Sequence, residues 1–111
     1  MITMSEFEVV LKLYKLIGER SQDVEVELKR LGEIIKTRSQ LNNDVEYLSI
    51  TKISKGDVKG VIVIKGKRDK AVNEAQLITT LIKSNFKFID VENVSSRSIH
   101  TRLVSGLKSF F

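Results

Sequence analysis

Between Phe7 and Ile35 apolar residues recur at alternating steps of three and four, at Phe7, Val10, Tyr14, Ile17, Val24, Leu28, Leu31 and Ile35, with Ser21 as the one polar rung. A 3.5-residue period is how a long helix offers one seam to a partner helix. The pattern therefore predicts an N-terminal helical arm, a coiled coil, and a homodimer or larger homo-oligomer joined through those eight apolar positions. Ser5 followed by Glu8 reads as a capping box, with Met4 and Val9 as its hydrophobic staple. The unbroken register predicts one helix to about Arg38. A repeated charge gradient predicts two helices instead, broken near 18–23: Glu6 and Glu8 lead to Lys15 and Arg20, then Asp23, Glu25 and Glu27 lead to Lys36 and Arg38. The residues leave both readings open.

Beyond the arm the pattern changes. Leu41-Asn42-Asn43-Asp44 reads as a loop, and Val45 to Ile53 is rich in the β-branched and aromatic residues that strands favour. Ser54-Lys55-Gly56-Asp57 supplies turn chemistry before a second strand, Lys59 to Lys65, whose Val61-Ile62-Val63-Ile64 core is apolar on both faces and so belongs inside a sheet. The two predict an antiparallel hairpin. Asp69 to Ser84 has helical spacing at Val72, Ala75, Ile78, Leu81 and Ile82, and Phe86 to Val94 alternates as a third strand. After Ser95-Ser96-Arg97-Ser98, the residues Ile99, Leu103, Leu107 and Phe110 predict a C-terminal helix, although Ile99, Thr101 and Leu103 also alternate as a strand would.

The fold class that follows is α+β: a long N-terminal helix or helical hairpin, a β-hairpin, a helix, a strand and a C-terminal helix, with helices on one face of a small, mainly antiparallel sheet. This element order is similar to that of some KH-like nucleic-acid-binding modules, an analogy of order alone. The organisation reads as a helical assembly arm, 1–40, on a basic body, 41–111, within a single structural domain.

Composition narrows the functions. The 111 residues include no cysteine, no proline and one histidine, His100, so thiolate chemistry, disulfides and the usual multi-histidine metal sites have no ligands. No metal, cofactor or catalytic residue is assigned. The longest aliphatic run is Val61 to Ile64, far below the roughly 20 residues of a membrane span. With no signal-peptide pattern at its start, the chain is expected to be cytoplasmic and to have no membrane partner. The net charge of +5 falls entirely in 41–111, because acids and bases balance in 1–40, and that asymmetry points to an anionic partner.

The densest candidate chemistry is Lys65-Gly66-Lys67-Arg68-Asp69-Lys70, a basic turn between strand and helix. Backbone N–H groups at a helix N-terminus attract anions, Gly66 would let a phosphate approach, and Lys65, Lys67, Arg68 and Lys70 would hold it, joined by Arg97 and Arg102. The expected function is non-catalytic nucleic-acid binding, to DNA or RNA, by an oligomer that presents two basic surfaces. The alternative is a structural adaptor whose Phe110-Phe111 end docks on a protein partner. Two catalytic motifs fail on spacing. The Gly60 to Arg68 stretch has five residues between glycines and no hydroxyl after the lysine, unlike a P-loop. The Asp57 to Lys65 stretch resembles a PD-(D/E)xK nuclease core, but Val63 stands where that core needs an acid. Asp90 and Glu92 share a strand face and suit a hard cation or, more simply, edge protection.

Overall fold

The computed structural model describes residues 6–16, 21–54 and 57–99. Its elements are β1 (Glu6–Lys15), α1 (Ser21–Leu41), β2 (Val45–Ser54), β3 (Asp57–Gly66), α2 (Arg68–Asn85) and β4 (Ile89–Ile99). The strands form one antiparallel sheet in the order β2-β3-β1-β4. The β2–β3 hairpin and α2 fall where local residue patterns place them.

The N-terminal long helix does not exist: the first element is a strand. Phe7, Val9, Leu11 and Leu13 alternate onto the helix-covered face, and Val10 lies on the other, beside Val61 and Val63. A central strand buried on both faces is apolar almost throughout, so its residues satisfy a three-and-four spacing by coincidence. Glu8 accordingly pairs in β1 opposite Lys65 and Arg97 and caps no helix. With the helix goes the coiled coil. In α1, Val24, Leu31 and Ile35 are buried in the subunit's own core and Leu28 packs against it. The expected seam is thus an inward face. Ile17 lies outside the described residues. The second half of the charge gradient is real, for Asp23 sits in the first turn of α1 and Arg38 in its last, each suited to the macrodipole.

Both helices cover one face, where Val9, Leu11, Leu13, Ile62, Ile64, Ile78, Ile82 and Ile89 form the main core. Strand β4 also differs from expectation. It runs through the serine segment to Ile99, with a register shift that sets Val10 opposite Ser95 and Leu11 opposite Asn93, leaving Val94 as an extra residue. Such a bulge bends an outer strand. The expected helical start at Ser98 is therefore strand, and residues 100–111 lie outside the described residues. Among the described residues no helix is long and apolar enough to cross a membrane.

Candidate functional site

Strand β3 ends at Gly66 and α2 begins at Arg68, so the basic turn sits where β1 starts, β2 starts and β4 ends. Lys65, Gly66, Lys67, Arg68, Lys70 and Arg97 all come to this end of the sheet. Arg102 lies outside the described residues. Lys67 is the N-cap of α2 in extended conformation, without a side-chain cap. Gly66 serves packing: a Cβ there would sit 2.6 Å from the Asp44 carbonyl oxygen and 2.9 Å from Val45 Cγ1, because Val45 pairs with it at the start of β2 and the preceding carbonyl closes on it.

Carboxylates from distant segments meet these cations. Lys65 Nζ lies 2.9 Å from Glu6 Oε2 and 3.8 Å from Glu46 Oε2, and the Glu6 bond raises its pKa against the opposing effect of burial. Lys70 is 4.0 Å from Asp44, and Arg97 is 3.8 Å from Glu8. The Arg68 guanidinium stacks over the Phe7 ring at 5.5 Å, a cation–π contact. Among the described residues, Lys67 and Arg68 make no ion pair with a carboxylate. The local sequence hid this neutralisation, since Glu6, Glu8, Asp44 and Glu46 come from β1, the α1–β2 loop and β2.

The sheet face turned away from the helices is the second candidate surface. Leu48, Val63, Val10 and Val94 form an aliphatic row across all four strands, with Val61 beside it. A charged row, Glu46, Lys65, Glu8 and Arg97, borders one side of it. Beyond the other side Lys12 faces Glu92 and Tyr14 faces Asp90. Asp90 accepts from Lys83 Nζ at 2.8 Å and from the Tyr14 hydroxyl at 3.1 Å. The Lys83 bond is the largest influence holding its pKa below the ordinary value. Its oxygens are committed to protein donors rather than arranged for a cation. Tyr14 is raised, first by desolvation and then by that carboxylate. Glu8 is 2% exposed, and its Oε1 has no hydrogen-bond partner.

Two buried carboxylates that local patterns did not single out tie the helices down. Glu27 of α1 accepts the Lys87 and Phe88 backbone N–H groups at 2.7 and 2.8 Å, fixing the approach to β4. Glu74 of α2 accepts from the Arg38 guanidinium and, at 3.1 Å, from Asn42 Nδ2. Burial pushes the Glu74 pKa up, but the donors outweigh it and hold the group below its ordinary value. The Tyr47 hydroxyl is buried beside this carboxylate without completing a hydrogen bond, and burial raises its pKa. Between α2 and β4 a cleft of about 440 Å³ has Val9, Val72 and Ala75 as its floor and Gln76, Thr79, Asn93 and Ser96 on its rim. Its described lining carries no ionisable group. Among the described residues no cluster of histidine, aspartate and glutamate is suited to a metal.

No protein-family model matches the chain, and neither does any curated protein. Solved structures do match. The de novo designed protein Foldit4 is 24% identical, with a TM-score of 0.56 over 87% of this chain and 99% of that one. The de novo designed protein LFR1 1, with ferredoxin fold, is 14% identical, with a TM-score of 0.56 over 86% of this chain and 92% of its own. At these identities the likeness defines the fold alone, and the order β-α-β-β-α-β around one antiparallel sheet is ferredoxin-like.

Proposed function

We propose that the protein is a non-catalytic adaptor that docks a short apolar helix of a partner protein on the helix-free face of its sheet. The observation that carries this reading is the aliphatic row Leu48–Val63–Val10–Val94, bordered by charged residues, in which Val10 and Val63 are buried and Leu48 and Val94 are partly exposed. Four strands about 4.8 Å apart make a row roughly 15 Å long, which matches about ten residues of helix at 1.5 Å each. Sheets of this topology that read single-stranded RNA present aromatic rings for stacking, whereas the middle of the two central strands here is valine and the one ring they carry on this face, Tyr14, is bonded to Asp90. Titration of a synthetic ten-residue amphipathic peptide, leucine on one face and lysine and glutamate on the other, should shift the Val10 and Val63 methyl resonances saturably. Leu48→Asp should abolish the shifts. Methyl resonances that stay fixed at millimolar peptide would remove the reading.

Nucleic-acid binding without catalysis is the second reading, favoured by the gathering of five cations, Lys65, Lys67, Arg68, Lys70 and Arg97, around the start of α2, whose N-cap makes no side-chain bond. It predicts affinity that falls steeply with salt and a flatter slope after charge reversal at Lys67 and Arg68.

A further inference from the structure

The two outer strands differ in how their open edges are built. An unpaired edge is a template for another chain, and β4 blunts its own with the bulge at Val94. Strand β2 has no bulge and no proline. Its ten pairs with β3, Val45 to Ser54, run without a register shift, and among the described residues no strand lies beyond it. Ser49, Ile50, Thr51 and Lys52 are all exposed along it. Its two charged residues are Glu46 and Lys52, and both are poorly matched within the chain. Lys52 stands directly opposite Lys59 on the helix-free face, a destabilising like-charge pair. Among the described residues neither lysine makes an ion pair. The Glu46 side chain is 73% exposed and comes only within 3.8 Å of Lys65.

We infer that β2 pairs antiparallel with β2 of a second copy of this chain, about a two-fold axis through Ser49, joining two four-stranded sheets into one. A two-fold contact makes each pair occur twice. With the axis at Ser49, Glu46 falls opposite the partner's Lys52 and Lys52 opposite the partner's Glu46. Leu48 meets the partner's Ile50, and Tyr47 meets the partner's Thr51, an aromatic and β-branched pair of the kind that stabilises sheets. Directly opposed residues share a face, so both helix layers lie on one side. The Lys52 and Lys59 conflict is relieved by a carboxylate at the crossing. Moving the axis one residue, to Leu48 or Ile50, sets Glu46 opposite the partner's Ile50 or the partner's Ser54 and leaves the charges unmatched, so Glu46 and Lys52 select the register rather than block the edge. The aliphatic row Val94–Val10–Val63–Leu48 then continues across the axis into the partner's Ile50 and the partner's Val61. The pairing goes beyond the adaptor reading and stands without it.

Sedimentation equilibrium of the full chain over a concentration series should reach twice the chain mass. Lys52→Glu and Glu46→Lys each place two like-charge pairs across the axis, and each should weaken association about tenfold. Lys52→Glu also removes the conflict with Lys59, so its loss of association is not a loss of fold. Mixed in equal amounts, the two variants carry opposite charges at both crossings and should recover a heterodimer of near parental affinity. Isotope-filtered NOE spectroscopy on differently labelled, unsubstituted chains tests the same contact without perturbing it, through cross-peaks between Leu48 and Ile50 methyl groups of separate molecules. The β2 amides, quick to exchange in dilute solution, should gain protection as concentration rises. A monomer at millimolar protein overturns the inference. A dimer that both variants leave intact does so too, because it joins elsewhere, as does failure of the folded variants to complement each other or absence of those cross-peaks in the dimer. Peptide docking by a strict monomer would keep the adaptor and discard the pairing. The paired form with methyl resonances unmoved by peptide would do the reverse.

Discussion

Gly66 illustrates how one residue type answers to different demands. In a basic turn before a helix, a glycine invites the reading that a phosphate must approach. Here the approaching group is the protein's own Asp44 carbonyl oxygen. Gly66→Ala should cost about 1–3 kcal/mol through overpacking, read as a lowered midpoint in chemical denaturation, and leave any anion affinity unchanged. Glu27 is a sharper case. It is 5% exposed and accepts two backbone N–H bonds. Charged acceptors are worth roughly 1.5–3 kcal/mol each, so Glu27→Ala should lose about 3 kcal/mol, by the same measurement. Glu74 and Asp90 add a pH dependence whose sign follows from their lowered pKa values. Carboxylates depressed in the fold stabilise it fully above their unfolded values of about 4, and that stability is lost as pH falls through the folded ones. Denaturation midpoints should therefore decline below about pH 4, and Glu74→Gln should flatten the decline while lowering the plateau.

At the scale of elements, legibility tracked locality. The β2–β3 hairpin and α2 were readable because each is specified by neighbours in sequence: turn residues at 54–57, β-branched runs on either side, and helical spacing from Val72 to Ile82. Strand β1 was not, because a strand buried on both faces loses the alternation that identifies it, and the apolar residues of α1 extend its false period. The charge gradient over 23–38 held the better clue, marking α1 as a separate helix. Local patterning ends β4 at Val94 because the four polar residues after it, Ser95-Ser96-Arg97-Ser98, resemble a loop. They continue as strand because β1 supplies their ladder beyond the bulge. The carboxylate partners of Lys65, Lys70 and Arg97 were invisible for a related reason, each lying on another element. Native-state hydrogen exchange should be slowest in β1 and β3, whose amides are laddered on both sides and sealed by side chains, and faster in the outer strand β2.

At the scale of the molecule, the +5 charge does not form a continuous basic surface among the described residues. The cations of the turn alternate with acids across the sheet. Counterion release needs phosphates to displace those acids, so binding of DNA and RNA oligonucleotides at 150 mM salt should be weaker than about 100 µM, the weak end of non-specific binding. Fluorescence anisotropy over a salt series would measure it, and micromolar binding with a steep salt slope would restore the second reading.

The strand order carries a consequence for biogenesis. The first strand made is an inner one, and its neighbour β4 is the last described element to leave the ribosome. Until β4 emerges, β1 presents an open row of amides and carbonyls along one flank, the kind of edge that recruits other chains. Long-separation pairing of this sort also slows folding. A nascent polypeptide halted before Ile89 is thus the form most prone to aggregate and the natural client for a chaperone at the tunnel exit.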